Sequence, residues 1–379
     1  MAEKIIEFEN LWKKYGDKIA LRNLNFFINE NEFFILFGPS GAGKTTTLKI
    51  ISGLEFISAG NIKISGRISN FVSPQERDAR MVFENYALYP HLNVFENLAS
   101  PLRIKKYSEE EIKKAVSYTA QLLGMGDYLE RLPRELSGGQ KQRVALGRAL
   151  VIKSKIYLLD EPLAHLDAKI RNQLRAEFHN IKSFLSSGTV VYVTHDYLEA
   201  ISLGDRICVL NNGNVEQIGT PKEIYYEPIN SFVSNVFGQP QINLLNLDIN
   251  YRNSEIYLEE KDFSLKLNKK YVDLLNNYNK KKIILGIRPQ FFNFYQQKQE
   301  DDFIRGIVKT FDILNYKGVA LIGIGNLEIT ILSENYEEIK ENRDIWIKVM
   351  DDHLLFFDID TGINLKKVSK GVKDSNGFS

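Results

Sequence analysis

The sequence predicts an α/β domain built on a mostly parallel sheet, followed by a smaller β-rich, barrel-like domain. Three observations carry that expectation. A five-residue apolar run, Phe33 to Phe37, passes straight into a glycine-rich segment, Gly38 to Thr45. Further apolar runs at Ile156 to Leu159, Val190 to Val193 and Ile207 to Leu210 each end in polar residues. At Phe237 to Leu245 the helical pattern breaks, and short strand-like runs divided by Asn, Asp, Lys and Gly follow.

In order along the chain, Ile5 to Phe8 and Leu24 to Ile28 read as strands, and Phe33 to Phe37, apolar throughout, as a strand covered on both faces. Thr45 to Ile51 has helix-forming character. From about residue 86 to residue 154 the pattern is helical, with Ser108 and Glu111 spaced as a capping box ahead of Ile112, Ala115, Val116, Thr119, Leu122 and Leu123. The β-rich runs that follow fit a sheet whose ligands sit beyond the carboxyl ends of its strands. The main boundary is placed so that residues 1–236 form the first domain, with its helical part at 86–154, and residues 237–379 the second. Strands are expected in the second domain at Ile283 to Arg288, Gly306 to Asp312, Val319 to Ile324, Leu327 to Leu332, Ile345 to Val349 and Leu354 to Phe357.

Composition narrows the function classes. The 379 residues leave room for two or three domains at roughly 100–200 each. A formal net charge of +1 gives no general attraction to nucleic acid. One cysteine, Cys208, cannot form an internal disulfide, and residues 1–10 do not read as a secretory signal, so a cytosolic setting is expected. Apolar runs fall far short of the roughly 20 residues that span a bilayer. Any membrane work therefore needs a separate chain.

Gly38-Pro39-Ser40-Gly41-Ala42-Gly43-Lys44-Thr45 matches the phosphate-loop pattern G-x-x-x-x-G-K-[ST], and it has the strand before it and the helix after it that the pattern requires. Backbone N–H groups would approach phosphate oxygens, Lys44 would bridge the β- and γ-phosphates, Thr45 would ligate Mg²⁺ and Thr46 would add a hydrogen bond. The run Ile156 to Leu159 ends in two carboxylates, Asp160 and Glu161. In an extended chain these point to opposite faces and take different roles. Asp160 would hold Mg²⁺ through water, and Glu161 would act as general base toward the attacking water. His195, in V-T-H-D (Val193 to Asp196), would contact the γ-phosphate; a lone histidine after a strand is more often structural, and the other motifs favour the catalytic reading. Ser137, Gly138 and Gly139 precede a helix expected near Gln140, a second terminus able to bind phosphate.

These motifs, L-S-G-G-Q-K-Q-R (Leu136 to Arg143) above all, resemble those of ABC ATPases. Together with Y-A-L-Y-P-H-L-N-V, D-E-P-L-A-H-L-D-A-K and V-T-H-D, the set is most similar to the ATP-binding subunits of carbohydrate importers of the maltose and multiple-sugar type. G-Q-P-Q-I-N-L-L (Gly238 to Leu245), G-I-R-P-Q (Gly286 to Gln290) and H-L-L-F-F-D (His353 to Asp358) resemble landmarks of that family's C-terminal regulatory barrel. The resemblance implies an α/β P-loop ABC ATPase domain, with a mixed sheet and a helical subdomain, followed by an OB-like regulatory domain. It implies ATP and Mg²⁺ as ligands and a head-to-tail dimer of ATPase subunits, so that Ser137, Gly138, Gly139 and Gln140 of one subunit face the γ-phosphate held by Lys44 of the other. Tyr15 stands where the family keeps an aromatic residue that stacks on adenine, and L-A-H-L-D (Leu163 to Asp167) resembles the loop that crosses the dimer interface.

The expected partner is a membrane permease, served indirectly by an extracellular solute-binding protein, with this chain peripheral on the cytoplasmic face of the membrane and no nucleic acid involved. Part of the aromatic run Tyr86 to Phe95 reads as core; the rest, at Tyr86, Leu88, Tyr89 or Phe95, resembles the groove that receives a permease helix. One position departs from the family: Glu84 stands where glutamine is usual. A glutamate still offers Mg²⁺ an oxygen but loses the amide donor, and altered coupling of hydrolysis is expected. Polyamine, ferric iron and glycerol-phosphate importers carry similar C-terminal domains, and N-Y-K-G (Asn315 to Gly318) resembles the polyamine group. A soluble ABC ATPase without a membrane partner is the reading from another class. The solute is not encoded in the catalytic motifs.

Overall fold

The computed structural model describes residues 3–83, 88–164, 171, 175, 178, 182, 188–253, 255–300, 302–314, 317–334 and 339–368. They divide into two compact units, the first ending at Pro221 and the second beginning at Lys222.

The first unit opens with strands β1 (Lys4–Tyr15), β2 (Lys18–Asn29), β3 (Phe33–Phe37), β4 (Ala59–Ile64) and β5 (Arg67–Ile68). Strands β6 (Ala79–Val82), β7 (Ile156–Asp160), β8 (Thr189–Thr194), β9 (Arg206–Asn211) and β10 (Asn214–Gly219) follow. Their sheet runs β10-β9-β3-β8-β7-β6, parallel except for the pair β9 and β10. All five residues of β3 are buried, as its unbroken apolar run predicts for a central strand. β1 and β2 form a second, antiparallel sheet in the order β2-β1-β4-β5. Only Gly16 and Asp17 separate β1 from β2, and Gly16 takes φ 55°. A two-residue turn can join only antiparallel neighbours. Residues from both sheets, among them Phe8, Leu24, Phe34, Leu36, Leu158 and Val193, meet in one core.

Helix α1 (Lys44–Ser52) follows β3 and ends at Gly53, whose φ of 80° is the left-handed stop that glycine supplies. Helices α2 (Val94–Ile104), α3 (Glu109–Leu122) and α4 (Gly138–Leu150) form the predicted helical region. The Ser108–Glu111 capping box is present. The three helices come together at Gly147, where a Cβ would sit 2.5 Å from Leu98 and 3.0 Å from Leu123. The short helix α5 (Tyr197–Leu203) follows β8.

The second unit begins with α6 (Pro221–Tyr226) and α7 (Ser231–Val236). The division falls at the first residue of α6, not after residue 236, because side chains from later in the chain hold these helices. Arg288 donates to the carbonyls of Phe237 and Tyr225, and Asn364 to that of Pro228 at 2.8 Å. Two five-stranded antiparallel sheets share one core. One comprises β11 (Asn243–Arg252), β12 (Glu255–Glu260), β13 (Phe263–Lys266), β14 (Lys282–Ile287) and β20 (Leu355–Asp358). The other comprises β15 (Phe292–Tyr295), β16 (Ile304–Leu314), β17 (Lys317–Ile324), β18 (Leu327–Ser333) and β19 (Asp344–Val349). Six of these strands match the expected runs closely. β11 begins inside the stretch where the sequence pattern breaks, and Leu245, Leu247 and Ile249 alternate along it into the core. Among the described residues no helix is long and apolar enough to cross a membrane.

Candidate active site

The central strands β3, β7 and β8 end on one edge of the parallel sheet, and each delivers a predicted residue there. Beyond β3 the backbone turns through Gly41 (φ 80°) and Gly43 (φ 105°) into α1. Gly43 is required twice over: its φ is left-handed, and a Cβ would lie 2.5 Å from the Leu21 side chain and 3.0 Å from the Ala20 carbonyl. The first backbone bond of α1 runs from Thr47 N to Gly43 O, so the amides of Lys44, Thr45 and Thr46 have no partner within the helix. No acidic residue stands in this first turn, and Lys49 stands in the last, which suits an anion at the N-terminus. Pro39, Ser40 and Gly41 are exposed, and Ala42 is buried.

Lys44 is 5% exposed. Its ammonium donates to the carbonyls of Gly38 (2.9 Å) and Pro39 (3.1 Å) and lies 3.6 Å from Glu161 Oε1. Thr45 Oγ1 donates to Asp160 Oδ1 at 3.1 Å, joining the start of α1 to the end of β7. A hydroxyl and a buried carboxylate meeting here are hard oxygen donors of the sort Mg²⁺ accepts, one or two from protein with the remainder from water and phosphate. The donor set fits that ion.

At the end of β7 the chain stops being extended. Glu161 takes φ 44°, so the expectation that Asp160 and Glu161 diverge as neighbours on a strand is corrected. The left-handed turn separates them instead. Such a backbone costs a residue with a side chain roughly 1–2 kcal/mol, and it is held by Glu161 N donating to Val193 O at 3.2 Å and Ala164 N donating to Glu161 O at 3.0 Å. The result places the Glu161 carboxylate between two basic groups, Lys44 on Oε1 and the His195 Nδ1 on Oε2 at 2.9 Å. His195 follows directly on β8, and its side chain is 60% exposed.

Ser137 caps α4 with a reciprocal box. Its Oγ accepts from Gln140 N at 3.3 Å, and Gln140 Oε1 accepts from Ser137 N at 2.9 Å. The helix begins at Gly138, two residues earlier than expected. Ser137 and Gly138 are exposed and Gly139 is buried. Among the described residues no hydrogen bond or ion pair joins this terminus to the start of α1, so the chain presents two separate helix N-termini. Tyr15 closes β1, 44% exposed, with the Lys13 ammonium 4.5 Å from its ring centre. Lys13 is itself held by Glu55 at 2.6 Å and the Phe56 carbonyl at 2.7 Å.

Glu84, Tyr86 and His165, Leu166 and Asp167 of the crossing loop lie outside the described residues. A groove of roughly 370 Å³ is lined by Leu54, Phe83, Tyr89, Pro101, Ile104 and Arg148 among others. Of the docking residues expected from sequence, Tyr89 lines it, with the Arg148 guanidinium 4.6 Å from its ring, and Leu88 and Phe95 do not. Asn97, fully buried, holds Tyr89 by both backbone groups. Leu54, Ile104 and Arg148 escape a reading along the chain because they come from the end of α1, from α2 and from α4. Ile104 closes α2 and is 77% exposed, an exposure that only the folded chain reveals.

A glycine-rich loop leading into α1, the Thr45–Asp160 pair of hard oxygen donors and a carboxylate bracketed by Lys44 and His195 meet at one edge of the sheet, as an ATP-hydrolysing cassette requires. A family profile described as ABC transporter matches residues 21–164. The trehalose/maltose import ATP-binding protein MalK of Thermococcus litoralis is 37% identical over 94% of this chain and 98% of its own length. The sn-glycerol-3-phosphate import ATP-binding protein UgpC of Ruegeria pomeroyi is 49% identical over 63% of this chain and 68% of its own. A dimeric ATP-binding cassette solved in a post-hydrolysis state with ADP and Pi superposes with a TM-score of 0.52 and 34% identity, over 57% of this chain and 99% of that one. The chain belongs to the ABC transporter ATP-binding family, and its activity is ATP hydrolysis.

Proposed function

We propose that this chain is the ATPase subunit of an importer and that it works as a dimer with two composite sites, driving a separate membrane permease from its cytoplasmic face. The observation that carries the reading is the convergence of Lys44, Thr45, Asp160, Glu161 and His195 at the ends of β3, β7 and β8, while the Ser137 helix end stands apart. Head-to-tail pairing gives the second helix end a role. Ser137, Gly138, Gly139 and Gln140 of one subunit meet the γ-phosphate held by Gly38, Pro39, Ser40, Gly41, Ala42, Gly43, Lys44, Thr45 and Thr46 of the other.

In this scheme Tyr15 stacks on adenine. Lys44 neutralises the β- and γ-phosphates, Glu161 takes a proton from the attacking water, and His195 contacts the γ-phosphate and steadies that water. Thr45, Asp160 and Glu84 would hold Mg²⁺, which when bound offsets the charge of the phosphate oxygens. Closing two subunits over ATP excludes water and stores binding energy as a closed dimer; hydrolysis releases it. The groove beside Tyr89 is the docking place for a short permease helix, with a solute-binding protein acting on the far side of the membrane.

Sugar is the solute class we propose, supported by relatives matched along nearly the whole chain, the second unit included. A second reading, glycerol phosphate, rests on the higher identity of a relative matched over 63% of the chain. The test is ATPase activity of the purified chain beside Glu161→Gln, with size-exclusion chromatography under ATP and Mg²⁺. Hydrolysis by the wild type, with an inactive Glu161→Gln chain that dimerises on ATP, supports the scheme; normal hydrolysis by Glu161→Gln refutes it. Growth on sugar of a strain lacking its own sugar-importer ATPase, restored by this chain, separates the two solute readings.

A further inference from the structure

His195 leaves β8 between two residues that are tied to each other, and the ties lead to a carboxylate that hydrolysis itself does not use. Glu199, on α5, is 3% exposed. Its Oε2 accepts from Thr194 Oγ1 at 2.7 Å and from the Tyr192 hydroxyl at 2.9 Å. The same Thr194 oxygen accepts from Asp196 N at 2.9 Å, so one hydroxyl bridges the residues on either side of His195. Asp196 is fixed in turn. Its Oδ1 caps α5 through the amides of Leu198 (2.8 Å) and Glu199 (3.3 Å), and its Oδ2 pairs with Arg175 at 3.2 Å, with Arg171 at 3.9 Å.

Packing alone does not account for a carboxyl at position 199. An apolar side chain would fill the volume without the expense of burying an ionisable group. Burial pushes the Glu199 carboxyl up from its usual range, and the bonds from Thr194 and Tyr192 only partly oppose that. What the carboxyl adds is direction, because it accepts from a hydroxyl that must also receive the Asp196 amide. That arrangement sets the Thr194 side chain, the Thr194–Asp196 backbone and therefore the root of the His195 imidazole.

We propose that Glu199 is a positioning residue for hydrolysis: acting through the Thr194 hydroxyl, it aims His195 at Glu161 and the γ-phosphate. The inference rests on His195 taking part in hydrolysis, and the experiment separates the two claims. kcat and KM for ATP are measured for Glu199→Ala, Thr194→Val and Glu199→Gln, each in the wild-type and the His195→Ala background, with thermal unfolding as a check on folding. Glu199→Ala and Thr194→Val should lower kcat by about 10- to 100-fold, the scale of a misplaced catalytic group, with little change in KM. Glu199→Gln keeps an acceptor oxygen and should recover most of the rate. In the His195→Ala background neither Glu199→Ala nor Thr194→Val should lower kcat further, because the group they aim is gone. Equal losses in both backgrounds overturn the proposal, as does a folded Thr194→Val chain with wild-type kcat, and in both cases a slow His195→Ala chain keeps its own role. A His195→Ala chain with wild-type kcat refutes the reading of His195 and takes the positioning role with it.

Discussion

Replacing Arg288 with methionine should destabilise the second unit substantially. Arg288 is 3% exposed; its two terminal nitrogens donate to the carbonyls of Phe237 and Tyr225, and its guanidinium lies 3.6 Å from the centre of the Tyr225 ring. A hydrogen bond from a charged donor is worth roughly 1.5–3 kcal/mol, and a desolvated cation over an aromatic ring adds roughly 1–2 kcal/mol. Methionine restores buried apolar volume, which offsets roughly 2 kcal/mol, but leaves both carbonyls without that donor, so the net loss is about 2–6 kcal/mol. Domains are stable by roughly 5–15 kcal/mol. The assay is urea unfolding followed by fluorescence. The chain has two tryptophans, and Trp346 on β19 reports on the second unit alone once Trp12 is replaced by phenylalanine. Arg288→Lys should recover little, since one ammonium does not span two carbonyls or stack as a plane. A loss below about 1 kcal/mol for Arg288→Met would refute the claim that this side chain fastens residues 222–237 to the second unit.

Gly43→Ala should weaken ATP binding at least about tenfold in titration calorimetry, because a φ of 105° and contact with Leu21 both oppose a methyl group there; unchanged affinity would show that the loop rearranges freely. The second unit should lose stability in acid through Asp358. Burial opposes its ionisation, but the Lys280 ammonium, the Thr361 amide and hydroxyl and the Tyr278 hydroxyl outweigh it and hold the carboxyl well below its usual range. A depressed folded-state value means stability that is complete above the unfolded carboxylate value of about 3.9 and is lost as pH falls below it. Asp358→Asn should flatten that part of the urea-midpoint profile, and an unchanged slope would count against it. Ile104→Glu should abolish co-purification with a permease while leaving ATPase of the isolated chain unchanged, because it charges the exposed wall of the groove without touching the phosphate loop; retained co-purification would move the docking surface elsewhere.

What can be read from the sequence is whatever one contiguous stretch determines. Phe33 to Thr45 carries its own strand, turn and helix start, and the Ser108 and Ser137 caps are local hydrogen bonds between residues three apart. The antiparallel first sheet is hidden because β1 and β2 are long and irregular, with repeated register shifts that blur alternation. The turn at Glu161 is hidden because no glycine marks it; Val193, on the neighbouring strand, supplies the carbonyl that holds it. Helices α6 and α7 are only six residues each, and what assigns them to the second unit is Arg288 and Asn364, far along the chain. Glu199 is silent in the sequence for the same reason: its significance depends on two hydroxyls on β8 that face it only once the strand and α5 have folded together.

Mixing two inactive variants tests the composite site most directly. Lys44→Ala removes the phosphate-loop cation, and Ser137→Arg blocks the other helix end. In a head-to-tail dimer each variant alone has two damaged sites, whereas a mixed dimer has one site bearing both lesions and one bearing neither. Equal amounts, pairing at random, place half the dimers in the mixed form, so ATPase should return to roughly a quarter of the wild-type rate if the sites act independently. Recovery to that level is the expected result. Two variants that stay inactive when mixed, although they pair, would contradict the composite site, as would a Ser137→Arg chain that hydrolyses ATP at the wild-type rate on its own.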